Sequence, residues 1–269
     1  MTTMTSARLT RPAASIAYRS LGEGPPLLLL HATLSSSRQL QALATRLAER
    51  HRVVAVDRRG SGDSAPAAGT PSSPIDVAVH VADLAALIDA EALHGCLVVG
   101  HSYGGCLALE LAARRPDLVT AAWTYEPPYG PLAPPAVQSH MADVARRTLE
   151  AAAQRGPAAA AEVFMAGVSG QAAVDALSAT ARERIGRAGS GAVADAPLLG
   201  LDADGLARIA CPVAVATGGA SGPLYVAIAE ALAGRIPGAI VSSIPGVDHM
   251  APVTRPDIIA AAVEAFLDP

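Results

Sequence analysis

The sequence contains no lysine, so every basic side chain other than histidine is an arginine. This absence excludes Schiff-base chemistry on a lysine amine and any mechanism that uses lysine as a general base. Aromatic residues make up only 3% of the 269 residues, while 51% are hydrophobic, so alanine and the aliphatic residues must supply the core. A chain of this length can form one large domain with a well-buried interior.

Long apolar runs are also absent, since none reaches the roughly 18 residues that a membrane-spanning helix needs. The first 14 residues carry two arginines but no apolar segment typical of a secretion signal. The net charge is −4 and the arginines are scattered, so the chain has no basic patch for nucleic acid. We therefore expect a cytoplasmic protein that binds neither nucleic acid nor membranes. Monomer and homodimer both stay open.

Cysteine is scarce, and the count of three is odd. All three lie in apolar strand or helix contexts, which favours small buried residues in a reducing compartment. They are Cys96, Cys106 and Cys211. The sequence has no motif with metal-ligand spacing, and its glycine-rich stretch at residues 218–222 lacks the lysine of a phosphate-binding loop. We expect no metal and no cofactor.

Short apolar runs alternate with amphipathic helical segments along most of the chain, an order that predicts an α/β fold with a mostly parallel sheet and helices on both faces. An antiparallel hairpin at residues 7–19 precedes six further runs, which makes eight strands. Those runs are residues 27–30, 53–56, 97–99, 119–125, 212–217 and 239–244.

The composition changes at Tyr129. Residues 129–206 are rich in alanine, poor in β-branched runs and interrupted by Pro and Gly pairs, which is typical of short helices. We predict that this segment is an inserted helical cap. The α/β core domain would then consist of residues 1–128 and 207–269.

A Gly-x-Ser-x-Gly pattern lies between a predicted strand and a predicted helix at residues 100–104, with Ser102 at its centre. A nucleophile on such a tight turn has strained backbone geometry, and the flanking glycines remove side chains that would collide. The helix that begins after Ser102 directs free N–H groups and a positive dipole end towards a developing oxyanion. The pattern predicts Ser102 as a nucleophile.

Together with this turn, the loop at residues 57–64, which reads Asp-x-x-Gly-x-Gly-x-Ser, makes the sequence resemble the α/β-hydrolase superfamily in its small capped form. The resemblance covers nearly the whole chain apart from the predicted cap. It implies an α/β-hydrolase fold, a small-molecule substrate and Ser102 as the nucleophile. We interpret the loop at residues 57–64 as scaffold.

A serine hydroxyl needs a base to accept its proton. His249 follows the last predicted strand, where the resemblance implies the catalytic histidine. We expect His31 to be structural and the His101 side chain to point away from Ser102. The other four histidines are expected on the solvated surface: His51, His80, His94 and His140.

The third triad member departs from the family pattern. The resemblance implies an aspartate in the loop after the next-to-last strand, where this chain has Ser221. Glu126 ends the strand after the serine turn and its helix, a position that carries the acid in relatives such as the haloalkane dehalogenases. We predict Glu126 as the acid. Asp248, beside His249, and the absence of any acid are the alternatives.

The oxyanion hole is predicted to consist of the backbone N–H groups of Thr33 and Tyr103. The resemblance implies His-Gly before Thr33, whereas this chain has Ala32, which restricts the backbone more than glycine does. A substrate would lie between the serine turn and the cap. The predicted lining is mostly apolar and favours an acyl or alkyl group; it consists of Leu34, Tyr103, Tyr129, Phe164, Met165 and Met250.

These residues predict a serine hydrolase that cleaves an ester or lactone through an acyl-enzyme. Hydrolysis of a C–C bond or a thioester on the same triad is a related alternative. A non-catalytic protein that binds a small molecule is the competing class. The missing loop aspartate favours that class, whereas Ser102, His249 and Glu126 oppose it. A serine nucleophile excludes halide removal by an aspartate nucleophile.

Overall fold

The computed structural model describes residues 4–67, 70, 72–196 and 200–268. Its strands are β1 (Thr5–Arg11), β2 (Ala14–Leu21), β3 (Pro26–Leu30), β4 (Arg52–Val56), β5 (Cys96–His101), β6 (Val119–Tyr125), β7 (Val213–Gly218) and β8 (Ile240–Ile244). Within the described residues they form one eight-stranded sheet in the order β1-β2-β4-β3-β5-β6-β7-β8. β2 pairs antiparallel with β1 and β4, and the other neighbours pair parallel. The predicted mostly parallel eight-stranded sheet is confirmed.

Helices cover both faces of the sheet. One face carries α1 (Gln41–Leu47), α10 (Ala251–Thr254) and α11 (Pro256–Leu267), and the other carries α2 (Val77–Ala90), α3 (Tyr103–Arg114) and α9 (Pro223–Ala233). Successive residues of a strand point to opposite faces, so Leu28 and Leu30 of β3 join the α2 face while Leu27 and Leu29 join the other. This is why the central strands are apolar without interruption.

Between β6 and β7 the described residues form five α-helices: α4 (Pro135–Arg155), α5 (Pro157–Ser169), α6 (Gln171–Asp175), α7 (Ala179–Arg187) and α8 (Gly189–Ala194). Gly156 and Gly170, with φ of 87° and 85°, permit the turns on either side of α5. We call residues 129–206 the insertion; its residues 197–199 lie outside the described residues. The insertion returns to the core at α8, where the N–H of Ile75 donates to the carbonyl of Ala194 at 3.0 Å.

The carboxyl ends of the neighbouring parallel strands β3, β5, β6 and β7 meet at one edge of the sheet. Five described residues other than glycine have positive φ, and three of them lie at this edge: Leu34 at 56°, Ser102 at 54° and Glu126 at 49°. Backbone strain of this kind concentrates at functional sites, and open α/β sheets bind ligands beyond the carboxyl ends of their strands. This edge is therefore the candidate functional site.

Candidate active site

Ser102 occupies the turn between β5 and α3, with φ of 54° and ψ of −124°. Only glycine fits at the positions two residues before and two residues after it. A Cβ on Gly104 would lie 2.6 Å from the backbone oxygens of Leu30 and His31, and a Cβ on Gly100 would lie 2.6 Å from the carbonyl carbon of Gly104. The turn therefore needs both glycines of the Gly-x-Ser-x-Gly pattern, for the steric reason expected from the sequence.

Glu126 follows β6, is fully buried, and places its Oε2 2.7 Å from Nδ1 of His249. The N–H of Gly218 donates to its other oxygen, Oε1, at 2.7 Å. Both carboxylate oxygens therefore have a partner. A carboxylate that accepts a bond from Nδ1–H orients the imidazole so that Nε2 can accept a proton. The structure thus brings the predicted acid to the predicted base.

Two contacts hold the Ser102 turn beside this pair. The N–H of Ser102 donates to the carbonyl of Tyr125, the residue before Glu126, at 2.9 Å. The His101 ring lies 4.9 Å from the His249 ring between centroids, and its Nε2 donates to the His249 carbonyl at 2.8 Å. Burial holds the pKa of His101 well below its ordinary value, so this ring is a neutral donor. No motif in the sequence signals this contact.

The loop that carries His249 has two further anchors. The hydroxyl of Tyr125 donates to the carbonyl of Asp248 at 2.7 Å. The ring of Tyr225, near the start of α9, stacks on the His249 ring with centroids 4.7 Å apart and planes 12° apart. Burial and the Glu126 charge raise the pKa of Tyr225 to about 12, so this ring stays neutral. No motif in the sequence signals Tyr225, because its contact depends on how α9 packs.

Among the described residues, neither Ser221 nor Asp248 bonds the His249 ring. Ser221, where the resemblance implied an aspartate, has a buried hydroxyl with no hydrogen-bond partner among the described residues. Asp248 is exposed, and its Oδ1 accepts the N–H of Met250 at 2.9 Å. Glu126 is thus the carboxylate that bonds the His249 ring.

Thr33 and Tyr103 are the two residues whose backbone N–H groups are predicted to form the oxyanion hole. Thr33 follows β3, and Tyr103 is the first residue of α3, whose opening N–H groups have no intrahelical acceptor. Within the described ranges, neither backbone N–H donates to a protein acceptor. Both donors are therefore available to a ligand, and their role as an oxyanion hole stays a prediction.

Four of the predicted lining residues have accessible side chains. Leu34 is half-buried after β3, and Met250, which is 45% exposed, directly follows His249. Phe164 and Met165 are half-buried on α5 of the insertion. Their contact with a substrate stays a prediction.

Two predicted lining residues have side chains inside the core instead. Tyr129 is fully buried, and its hydroxyl donates to Glu110 of α3 at 2.6 Å. Tyr103 is fully buried as well, with the guanidinium carbon of Arg58 5.0 Å from its ring centroid. We therefore remove both side chains from the substrate lining. The physical reason is that each has a partner within the core which holds it there.

The histidines depart from expectation at two positions. His51 and His80 are only 6% and 1% exposed, so the prediction that they are solvated is wrong. Burial and the nearby Arg58 charge lower the pKa of His80 to about 4, whereas His51 contacts Glu264 at 3.0 Å. His80 lies three residues after Val77 and four before Leu84, on the buried face of α2, whereas His51 directly precedes β4. The other two, His94 and His140, are exposed as predicted.

The described part of the chain lacks both a metal-binding cluster and a membrane-spanning helix. It has no group of three or more His, Cys, Asp or Glu side chains that could hold a metal ion. None of its helices is both long and apolar enough to cross a bilayer. The three cysteines are free thiols; Cys96 and Cys106 are buried as predicted, and Cys211 is partly exposed.

A surface groove of about 720 Å³ lies between α4, α5 and α7 of the insertion. Four of its five charged side chains pair with one another, Arg182 with Glu162 at 2.8 Å and Arg187 with Glu183 at 2.7 Å. None of the predicted site residues lines it. The groove is therefore separate from the site at the sheet edge.

A doubly covered sheet that carries a strained serine turn and a buried carboxylate–histidine pair at one edge is an arrangement suited to hydrolysis. The sequence profile of the Alpha/beta hydrolase family matches residues 27–262. The chain therefore belongs to the α/β-hydrolase family.

Individual relatives agree with this assignment. The chain is 28% identical over 263 residues to 2-(acetamidomethylene)succinate hydrolase of Mesorhizobium japonicum, a match that covers 93% of this chain and 90% of the relative. Other curated relatives match over 99–110 residues, which is 29–38% of their own length.

Solved structures share the whole fold. A hydrolase from Pseudomonas aeruginosa PA01 is 25% identical with a TM-score of 0.76, and the match covers 98% of each chain. An alpha/beta hydrolase from Sphaerobacter thermophilus is 29% identical with a TM-score of 0.70, covering 97% of this chain and 100% of that one. The family and these relatives support a hydrolytic enzyme that acts on a small molecule.

Proposed function

We propose that the protein is a serine hydrolase that cleaves an ester or a lactone of a small to medium-sized apolar substrate through an acyl-enzyme. One observation carries this proposal: the buried Glu126 carboxylate lies 2.7 Å from Nδ1 of His249 while its second oxygen is held by the N–H of Gly218. A carboxylate fixed at both oxygens orients the imidazole as a base for a neighbouring serine.

In this mechanism the Ser102 hydroxyl attacks the substrate carbonyl carbon as Nε2 of His249 accepts its proton. The N–H groups of Thr33 and Tyr103 stabilise the tetrahedral oxyanion. The imidazolium, stabilised by Glu126, then returns the proton to the leaving oxygen, which for a lactone stays attached to the acyl group. A water molecule activated by His249 hydrolyses the acyl-enzyme and restores Ser102.

We propose that the insertion serves as a cap over the substrate and that Leu34, Phe164, Met165 and Met250 line the acyl side.

The relative from Mesorhizobium japonicum is named for a succinate derivative, and a succinate carries carboxylates that a cationic pocket would bind. In this chain the guanidinium of Arg58 is paired with a buried carboxylate. This pairing favours a neutral ester or lactone. C–C or thioester hydrolysis is the related alternative.

The same proposal describes an enzyme that needs no cofactor and no nucleic-acid or membrane partner. We propose that it works in the cytoplasm, where its free thiols would stay reduced. Monomeric and homodimeric forms are equally compatible with it.

Intact mass after treatment with a fluorophosphonate probe tests the proposal. We expect one adduct on the wild type, none on Ser102→Ala, and one on the matched control Ser221→Ala, which removes a nearby buried hydroxyl. Turnover of a panel of neutral esters and lactones is expected to disappear only in Ser102→Ala. An unlabelled wild type whose turnover equals that of Ser102→Ala would contradict the proposal and favour a small-molecule-binding protein.

A further inference from the structure

A buried ion pair joins the insertion to the loop that follows β4. Arg58 follows β4, and Asp195 follows α8 at the end of the helical insertion. Nη1 and Nη2 of Arg58 lie 2.7 Å and 2.8 Å from Oδ1 and Oδ2 of Asp195, and the two residues are only 1% and 0% exposed. This is a bidentate pair closed off from solvent, and the proposed mechanism gives it no part.

Both partners also bond the segment that carries Thr33. Arg58 donates to the carbonyl of His31 at 3.3 Å and to the carbonyl of Ala32 at 3.4 Å. The hydroxyl of Thr33 donates to Oδ2 of Asp195 at 2.8 Å. The carbonyl of Ala32 and the N–H of Thr33 belong to one planar peptide unit. A bond that holds this oxygen therefore also sets the direction of the N–H.

His31 also bonds the carbonyl of Ala32. Its Nδ1 lies 2.7 Å from the oxygen of Ala32, and its Nε2 accepts the N–H of Arg58 at 3.2 Å. These contacts require a neutral ring with its proton on Nδ1. Burial, aided by the Arg58 charge, lowers the pKa of His31 to about 4, so the ring is neutral at pH 7.

The Arg58–Asp195 pair is charged on both sides. Burial alone would raise the pKa of Asp195, but the charge and bonds of Arg58 hold it below its usual range. The carboxylate is therefore ionised and accepts the bond from Thr33. An oxyanion hole acts through donors that are aimed before the reaction begins, so a network that fixes one donor peptide contributes to the rate.

We propose that Arg58 and Asp195 are positioning residues that aim the Thr33 N–H into the oxyanion hole. Because Asp195 belongs to the insertion, a complete oxyanion hole requires the insertion to be seated on the core. The inference rests on the proposed function, since this N–H stabilises an oxyanion only if Ser102 attacks a carbonyl.

A double substitution gives the informative variant. A single change leaves a buried charge without its partner and can unfold the chain, whereas Arg58→Met/Asp195→Leu replaces both residues by apolar side chains of similar size. The matched control is Arg59→Met/Asp83→Leu. That neighbouring pair is joined by bonds of 2.6 Å and 2.9 Å, and within the described residues it has no hydrogen bond to residues 31–33.

Kinetic measurements distinguish two roles of the ion pair: orienting the Thr33 N–H, or only holding the insertion on the core. The readouts are kcat and KM for p-nitrophenyl butyrate, and the affinity for a trifluoromethyl ketone whose hemiketal oxyanion resembles the intermediate. We expect kcat and ketone affinity to fall about 10- to 100-fold, less than the roughly 10²- to 10³-fold loss for deleting a donor. KM should change less than about threefold, as should every value in the control. A variant that loses thermal stability but keeps its kcat and ketone affinity overturns the proposal.

Crystal structures of the wild type and the double variant test the positioning without turnover. A rotated Ala32–Thr33 peptide in the variant supports the proposal, and an unchanged peptide overturns it. If the wild type is neither labelled by the fluorophosphonate nor active on esters, the proposed function fails. The structural comparison still decides whether Arg58 and Asp195 orient this peptide.

Discussion

Replacement of Glu126 by glutamine exchanges one carboxylate oxygen for an amide NH₂ and leaves the shape of the side chain unchanged. Oε1 of Glu126 accepts the N–H of Gly218 and Oε2 faces Nδ1 of His249, each at 2.7 Å. The amide must keep its oxygen towards Gly218, because an NH₂ there would oppose a second donor. Its NH₂ then faces His249 and favours the tautomer that carries the proton on Nε2. That tautomer cannot accept the proton of Ser102.

The size of the effect follows from this geometry. An amide that imposes the wrong tautomer in a serine protease triad lowers kcat by about 10⁴-fold. At about 1.4 kcal/mol for each factor of ten, this is about 5.5 kcal/mol of transition-state stabilisation. Glu126 is fully buried, so water cannot substitute for the lost acceptor. The N–H of Gly218 keeps its acceptor, and we therefore expect little change in thermal stability.

Hydrolysis of p-nitrophenyl butyrate and thermal unfolding measure the two quantities. The matched control is Glu162→Gln, which makes the same chemical change in a carboxylate that pairs with Arg182 on the insertion. We expect the control to retain wild-type kcat. A loss below tenfold in Glu126→Gln, with wild-type thermal stability, would refute the reasoning and remove Glu126 from the triad.

Three further changes test the surroundings of the site. In the Glu126→Gln background, Ser221→Asp supplies a carboxylate from the loop after β7, and we expect kcat to recover at least about tenfold; no recovery would show that this loop does not reach the ring. Tyr225→Leu removes the ring stacked 4.7 Å from His249. With about 0.5–1.5 kcal/mol for such a stack, kcat should fall about 2- to 12-fold, whereas Tyr225→Phe should keep it. Finally, the pKa of His80 is about 4 in the folded state against 6.5 for a free histidine. As the pH falls below 6.5 the unfolded chain binds a proton that the native state excludes until about pH 4, so the free energy of unfolding should drop by about 3 kcal/mol across that window. His80→Leu should make the dependence of thermal unfolding on pH between 7.5 and 4.5 less steep, while His31 and His101, whose pKa values are also lowered, keep the rest of it; an equal slope in both proteins would contradict the assignment.

Much of the fold follows from local patterns. Short apolar runs alternate with helical spacing, and strands at residues 26–30, 52–56 and 119–125 lie within one residue of their predicted bounds. The sequence also predicts the need for glycines around Ser102, because the crowding that excludes a Cβ arises at one tight turn. The edge where the strands end follows as well, since neighbouring parallel strands bring their carboxyl ends together.

The side-chain contacts across that edge do not follow from local patterns. The sequence favours Glu126 as the acid but leaves two alternatives open, because the bond between Glu126 and His249 joins residues 123 positions apart. Arg58 and Asp195 are 137 positions apart, and no sequence motif predicts that they pair. Their pairing depends on the path of the insertion back to the core.

The sequence by itself determined the succession of strands and helices along the chain, the strained serine turn and the histidine after the last strand, because each rests on the spacing of nearby residues. Only the tertiary structure decided which carboxylate bonds the His249 ring, that Tyr225 stacks on it, and that Tyr129 and His80 are buried. The physical reason is that these outcomes depend on contacts between side chains from distant segments. Local spacing places a residue on an element but does not determine what packs against it.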